Sequence, residues 1–559
     1  MTEAASNARS GAQVLVDQLT IQGVEHVFCV PGESYLAVLD AFHDASIQVT
    51  VARQETGAGI MADASARLTG RPGIVFATRG PGAMNAAHAI HIAEHDSTPL
   101  ILFLGQVGRG MRGRGAFQEM DYGQVFASTA KWVVEIDDPA RIPEIVSRAF
   151  HTAMQGRPGP VVISLPEDML KQKVSVNDAP RAEPAQPAPG AADMERLQQA
   201  LTKAQRPIAI IGGSNWSAEA CDQFRCFAEA FDMPVVTSFR RTMLFNADCD
   251  PYAGELALGA NPKLVDRIKR SDLVLLVGGR LAEVPSQSYT MLAIPKSSQF
   301  LVHVHGSAEE LGRVYSADIG ICATPRAFCA ALQTLSPPDQ IPWRDNTRAA
   351  RADYLAFTNV APETPGNVQM AQIMLWLRDT LSDDTIITNG AGNYAIWVGR
   401  YLRIRTYGAL LAPVSGSMGY GLPAAVGAKR VCPDRPVISF NGDGCFLMNG
   451  QEFATAVQYN LPIIVVVIDN SMYGTIRMHQ EREYPGRISA TSMRSPDFAA
   501  LGRAYGGHGE TVETTEEFAP AYERAVASGL PAIIHVKVDP EAITPVTTLT
   551  AIRETSRAK

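Results

Sequence analysis

Two residues carry the sharpest chemical signature in the chain. Asp443 stands between glycines in Ser439-Phe440-Asn441-Gly442-Asp443-Gly444, and Asn470 follows 27 positions later in Asp469-Asn470-Ser471-Met472-Tyr473-Gly474. Each comes directly after an apolar run of strand length, 437–440 and 463–468, of the continuous kind that suits a strand buried on both faces. The flanking glycines let the backbone turn tightly and approach a ligand. Open α/β sheets bind their ligands at the carboxyl ends of strands. A carboxylate and an amide oxygen leaving two successive strand ends are hard oxygen donors. They suit Mg²⁺, which takes few protein ligands and completes its shell with phosphate and water.

Other segments offer weaker signals. Arg53-Gln54-Glu55-Thr56-Gly57 follows the run 48–52 and sets Glu55 at the start of a Gly/Ala-rich helix, where a carboxylate is favoured by the helix dipole; taken alone it reads as a capping acid. Pro413-Val414-Ser415-Gly416-Ser417-Met418-Gly419-Tyr420 is a glycine-dense turn leading into an Ala-rich helix. A Met in such a place is ordinarily core filler. Glu33 lies in the turn after the run 26–30 and reads as an exposed acid. His88, His91 and His95 share one face of a helix, but with no acid or cysteine pattern beside them a packed helix surface is favoured over a metal site.

The elements that must position these residues follow from the rest of the chain. It has 559 residues, 46% hydrophobic and 19% charged, with 57 acidic and 49 basic side chains and a net charge of −8. This is the composition of a globular protein, and the absence of a Lys/Arg block gives nucleic-acid binding no electrostatic support. Eight cysteines are scattered without a C-x-x-C pair, as expected of reduced thiols in a cytoplasm. The polar stretch 1–11 lacks a signal-peptide core, and the longest apolar run, 461–468, is far short of a membrane span. Apolar runs at 26–30, 48–52, 73–78, 100–105 and 161–165, at 208–212, 234–238, 273–278, 300–305 and 319–323, and at 385–388, 437–440, 463–468 and 532–538 alternate with helical segments. That alternation predicts an α/β fold of three doubly wound parallel-sheet domains. Proline-rich stretches at 171–191 and 336–366 read as linkers, the second with possible helix at 349–357. The expected domains are 1–170, 192–335 and 367–559. A helix is expected from Asn449 to Tyr459.

Gly442-Asp443-Gly444 with Asn470 at this spacing resembles the motif of thiamine diphosphate-dependent enzymes, most closely the 2-oxo-acid decarboxylase and acetohydroxyacid synthase superfamily. The resemblance covers nearly the whole chain. It implies that Asp443, Asn470 and the Met472 carbonyl hold Mg²⁺, with the diphosphate bound by Gly442, Gly444, Tyr473, Gly474 and the helix start. It implies pyrimidine-, central and diphosphate-binding roles for the three domains. Arg53-Gln54-Glu55 matches the family's Arg-His-Glu stretch, with Gln54 in the His place. Glu55 would then bond the aminopyrimidine and favour the tautomer that deprotonates thiazolium C2. Met418 would wedge the cofactor into a bent shape, with Gly416 bonding the pyrimidine. Thr78-Arg79-Gly80-Pro81-Gly82-Ala83-Met84-Asn85 and Ala116-Phe117-Gln118-Glu119 resemble acetolactate-type loops. Gln118 is thereby a candidate to face the reacting intermediate. Glu33 stands where simple pyruvate decarboxylases carry an active-site Asp.

Two departures narrow the resemblance. His479 stands where acetohydroxyacid synthases carry a substrate-shaping Trp, and Leu281-Ala282-Glu283-Val284 replaces the run that accompanies their FAD, so the resemblance leaves FAD open. The expected activity is decarboxylation of a 2-oxo acid, pyruvate-like, with transfer of the acyl carbanion to a carbonyl acceptor. Capture by a proton instead would release an aldehyde. A non-catalytic homologue could dispense with Glu55, which is present. An NAD-dependent oxidoreductase needs a G-x-G-x-x-G turn with an acid about 20 residues on, and none of the glycine turns supplies it. The family arrangement implies a homodimer or homotetramer, with the site between the first domain of one subunit and the third of another.

Overall fold

A computed structural model describes residues 8–558; most of the N-terminal stretch read above for targeting lies outside them. Three six-stranded sheets succeed one another along the chain. A short antiparallel ribbon pairs β1 (Arg9–Ser10) with β8 (Lys173–Val174). The first sheet comprises β2 (His26–Cys29), β3 (Gln48–Val51), β4 (Gly73–Ala77), β5 (Leu100–Gln106), β6 (Trp132–Glu135) and β7 (Pro160–Pro166). The second comprises β9 (Pro207–Ile211), β10 (Val235–Ser238), β11 (Tyr252–Leu256), β12 (Leu273–Val277), β13 (Phe300–His305) and β14 (Ile319–Cys322). The third comprises β15 (Ile386–Asn389), β16 (Leu410–Leu411), β17 (Val437–Gly442), β18 (Ile464–Asp469), β19 (His508–Val512) and β20 (Ala532–Lys537). Every pairing within these sheets is parallel.

The first and third sheets share one strand order, β3-β2-β4-β5-β7-β6 and β16-β15-β17-β18-β20-β19, while the second runs β11-β10-β9-β12-β13-β14. Each order reverses direction once, between β2 and β4, between β15 and β17, and between β9 and β12. A crevice therefore opens at the carboxyl ends of each of these strand pairs. Both faces of the sheets are buried, as their unbroken apolar runs require. In β9, Ile208 and Ile210 enter one core while Ala209 and Ile211 enter another.

Residues up to Ala185, with 423–433 and 454–459, form one compact unit, and 186–422, 434–453 and 460–559 form a second. Both stretches read as linkers carry some ordered contacts. In the first, β8 pairs with β1, and the side chains of Gln18 and Gln22 bond Ala179 and Pro180 carbonyls at 2.9 and 3.0 Å. The second carries the 15-residue helix Arg344–Thr358, and Trp343 and Tyr354 are buried in the core beside the second sheet. The helix expected at 349–357 is the later part of it, and the prolines before Arg344 disguise its start. Among the described residues no helix is long and apolar enough to cross a membrane.

The C-terminal helix Leu549–Arg557 packs on the helix Gly474–Glu483 through one buried acid. Glu481 accepts two 2.8 Å bonds from Arg553, a 2.8 Å bond from the Gly486 amide, and an ion pair with Arg477. The Arg553 bonds, acting against burial and joined by the Gly486 amide and Arg477, hold the carboxyl down to about 2. A depressed carboxyl stabilises the fold above its ordinary value of 4.5 and loses that contribution as pH falls toward 2. Glu481→Gln is therefore expected to lower stability near pH 7 by on the order of 2–3 kcal/mol. Melts of both proteins should converge between pH 4.5 and 2; a pH-independent difference would remove the charge from this account.

Candidate active site

β17 runs through Gly442, and Asp443 opens the helix Asp443–Leu447 at once. The segment Asn449–Tyr459 expected to be helical is helical over 450–458, and a further short helix precedes it. One short helix begins at Asp443, breaks at Met448–Asn449, and resumes as a 3-10 turn Gly450–Glu452 and the helix Phe453–Gln458. Asp443 occupies a first helical turn, where backbone N–H groups and the helix dipole favour a negative charge. Its side chain is buried, and its Oδ1 accepts the Gly444 amide at 2.8 Å. Gly444 is required for contact, since a Cβ there would lie 2.9 Å from the Tyr473 ring.

The adjacent strand β18 ends in a second buried acid, Asp469, which sequence reading passed over. Its Oδ1 accepts the Ser471 amide and the Ser495 hydroxyl, both at 2.8 Å, and its Oδ2 pairs with His535 Nε2 at 2.9 Å. Ser495 Oγ also stands 3.4 Å from Asp443 Oδ2, linking the two acids. Burial and the neighbouring Asp469 push the Asp443 carboxyl well above the usual carboxylate range. In Asp469 burial is outweighed by the bonds from His535, Asp443 and Ser495, which hold the carboxyl low. Ser495 and His535 come from distant segments, and no local pattern marks them.

Asn470 opens a tight turn. Its Oδ1 accepts the Met472 amide at 3.3 Å, Ser471 takes a left-handed φ of 54°, and the Met472 carbonyl accepts the Gly474 amide at 2.8 Å. Bonds from Tyr473 N to Thr491 O and from Met493 N to Ser471 O, both 2.9 Å, pin this turn to the segment carrying Ser495. The donor set is one buried carboxylate, one amide oxygen and one main-chain carbonyl, the hard-oxygen chemistry that fits Mg²⁺. Among the described residues no group of three His, Cys, Asp or Glu side chains is placed to hold a metal.

The Pro413–Tyr420 loop is tied to the helix that opens at Asp443. The Gly419 amide bonds Cys445 Sγ at 3.2 Å, and Asn449 Nδ2 bonds the Gly419 carbonyl at 2.9 Å. Cys445 is buried and also receives the Tyr394 hydroxyl at 3.4 Å. Gly416 sits at φ 68° on the exposed tip, and Met418 is half-buried against the core of the third sheet.

In the first unit, Gln54 and not Glu55 caps the helix Glu55–Thr69. Its side-chain oxygen accepts the Thr56 and Gly57 amides. Glu55 is thereby spared the capping role; it is 7% exposed, and its Oε2 accepts Asn85 Nδ2 at 2.9 Å. A Cβ on Gly82 would sit 3.0 Å from Glu55 Oε1, so the Gly80-Pro81-Gly82 turn lets the helix Gly80–Asp96 approach this acid. At the β2/β4 crevice Ser34 and Thr78 hydroxyls meet at 3.0 Å. Glu33 projects there 76% exposed, with Arg79 Nη1 3.9 Å away; Arg79 is held more closely by Glu167 at 2.6 Å. Gln118 is half-buried at φ 63°, and its carbonyl accepts the Gly80 amide at 3.2 Å. The structure thus gathers Glu33 and Gln118 around the turn that follows β4. His88, His91 and His95 lie on the surface of the helix Gly80–Asp96, where the His91 and His95 rings pack 4.4 Å apart.

At the β9/β12 crevice the two glycine turns abut: a Cβ on Gly213 would lie 1.8 Å from Gly278 O, and buried Trp216 bonds the Gly212 carbonyl at 2.8 Å. These glycines are accounted for by packing.

Comparison with known proteins agrees with this layout. Residues 9–125 match the N-terminal TPP binding domain of thiamine pyrophosphate enzymes, 194–332 their central domain, and 390–536 their C-terminal TPP binding domain. The chain is 32% identical over 551 residues to an acetolactate synthase large subunit of Parasynechococcus marenigrum, covering 95% of this chain and 87% of that one. It is 30% identical to the acetolactate synthase isozyme 2 large subunit of Escherichia coli, covering 95% and 96%. A Lactococcus lactis acetolactate synthase large subunit is 33% identical, covering 89% and 87%. Three matched domains in order, together with relatives aligned along nearly the full chain, show that the protein belongs to the acetolactate synthase-like family of thiamine pyrophosphate enzymes.

Proposed function

We propose that the protein is a Mg²⁺- and thiamine diphosphate-dependent enzyme that decarboxylates a 2-oxo acid of the pyruvate type and transfers the acyl unit to a carbonyl acceptor. The observation that carries this reading is the buried Asp443 carboxylate at the end of β17, beside the Asn470 turn, in a chain of this family. Asp443, Asn470 and the Met472 carbonyl would hold the cation, and Gly442, Gly444, Tyr473 and Gly474 would border the diphosphate. When bound, thiamine diphosphate supplies a carbon nucleophile and an electron sink for decarboxylation. Gly416 and Met418 would orient its pyrimidine end. Glu55, held by Asn85 and spared the capping role by Gln54, would fix the proton on the pyrimidine and so govern deprotonation at thiazolium C2. Gln118, and Glu33 from the turn after β2, both beside the turn that follows β4, would face the substrate.

The first unit of one subunit would meet the third sheet of another, so the working assembly is a homodimer or homotetramer. All eight cysteines are free thiols, which supports a reducing, cytoplasmic location.

Glu33 favours a second outcome at the same site. An exposed acid near the reacting carbon can deliver a proton, which ends the reaction as a released aldehyde rather than a ligation product.

The reading is tested by incubating the protein with a panel of 2-oxo acids, with and without acceptor aldehydes, and analysing products. CO₂ release with a new carbon–carbon bond is expected; no CO₂ from any acid would contradict it. Glu55→Gln should slow exchange of the bound cofactor's C2 proton with deuterium by about 10²-fold or more, and an unchanged rate would remove Glu55 from proton control. Glu33→Gly should raise the ratio of ligation product to aldehyde. A ratio that stays constant across substrates would return Glu33 to a surface role.

A further inference from the structure

The loop that bears Gly416 and Met418 is held from outside its own sheet. Arg240 lies just beyond β10, 7% exposed and at a left-handed φ of 58°. Its Nη1 donates to the Pro413 carbonyl at 2.7 Å and its Nη2 to the Gly390 carbonyl at 2.8 Å. Its own amide donates to Glu255 Oε1 at 2.5 Å, and its carbonyl accepts Arg241 Nη1 at 3.0 Å. The planar fork of a guanidinium fixes two acceptors at a set separation, which an ammonium cannot do.

Both acceptors lie on turns linked to the Gly416–Met418 loop or to the helix that opens at Asp443. The Pro413 carbonyl also receives the Gly416 amide at 3.3 Å, so Arg240 grips the atom that closes the turn at Gly416. Gly390 follows β15 at the β15/β17 crevice, and a Cβ on it would lie 2.3 Å from Cys445 Sγ. Cys445, two residues beyond Asp443, in turn receives the Gly419 amide. Asn393, in the same turn, receives the Thr475 hydroxyl at 2.8 Å, which joins it to the helix after the Asn470 turn.

We propose that Arg240 is a positioning residue for the reaction: reaching from the second sheet's loop, it sets the separation of the Gly390 and Pro413 turns and so preorganises the Gly416–Met418 loop for thiamine diphosphate. This rests on the reading that Gly416 and Met418 orient that cofactor. A buried, strained, charged side chain is costly to keep for domain cohesion alone, and its two bonds end on turns that serve one crevice.

The test compares Arg240→Gln, Arg240→Lys and, as a control, Arg351→Gln. Arg351 is a half-buried arginine that bonds the Ala247 and Asp248 carbonyls away from this loop. Amide hydrogen exchange of peptides covering 413–420 is measured without cofactor, and thiamine diphosphate affinity in Mg²⁺ is measured by tryptophan fluorescence. Arg240→Gln should exchange at least tenfold faster in that segment and bind the cofactor at least tenfold more weakly. Arg240→Lys, with one point of attachment, should fall between it and the wild type; if the Gln variant does not fold, the Lys variant decides. Arg351→Gln should change neither readout. Exchange at 413–420 no faster than in the control overturns the proposal, as does faster exchange with unchanged cofactor affinity. Faster exchange in a chain whose wild type binds no thiamine diphosphate retires the functional reading and leaves the clamp standing.

Discussion

Two carboxylates, Asp443 and Asp469, leave the ends of neighbouring strands and meet one serine hydroxyl in a buried setting. Like charges so placed cannot both ionise cheaply without a counter-charge. His535 answers Asp469 from a third strand, β20, which leaves Asp443 as the member with the raised carboxyl. A divalent cation that carries a diphosphate would complete the arrangement, since it meets Asp443 with positive charge and brings its own anionic oxygens to the helix start. The rest of the site is arranged around that carboxylate. The Asn470 turn lies at the next strand end, the Pro413–Tyr420 loop hangs on Cys445 and Asn449, and Glu481 with Arg553 anchors the helix that follows the turn.

Sheet topology explains why these groups come together. In both the first and third sheets the strand order reverses at an equivalent place, β2/β4 and β15/β17. At one reversal stand Glu33, Ser34, Thr78 and Arg79, with Glu55 bonded to Asn85 close by. At the other stand the Gly390 turn and Asp443. Two domains with the same order, each with chemistry at its crevice, carry the pyrimidine-side and diphosphate-side residues of the proposed site. No sequence repeat announces this relation. The net charge of −8 opposes an anionic cofactor and an anionic substrate, so local groups must do the holding: a bound cation, helix N-termini and backbone amides.

Much of this was legible in the chain. Central strands are continuous apolar runs because both faces are buried, and every one of them could be read. The strands that escaped notice in the sheets, β6, β11, β16 and β19, are edge strands. There, one side lacks a neighbour, and polar residues such as Glu135, His508 and Glu510 break the run. Of the helix Arg344–Thr358 only the later part, 349–357, was legible; prolines before it masked its start, since their effect on the backbone is local while the burial of Trp343 and Tyr354 is tertiary. Asp443 and Asn470 stood out because glycine, acid and amide follow strands within a few residues. Ser495, His535 and Arg240 did not, since each acts on atoms far away in sequence and nothing in its own neighbourhood differs from an ordinary loop or strand.

The central claim is that a divalent cation couples the Asp443 carboxylate to a diphosphate. Calorimetric titration of the wild-type protein with thiamine diphosphate, once in Mg²⁺ and once in excess chelator, tests it most directly. Saturable binding at one cofactor per chain in Mg²⁺, lost in chelator and restored by adding the cation back, is the expected result. Equal affinity in both conditions would contradict the account.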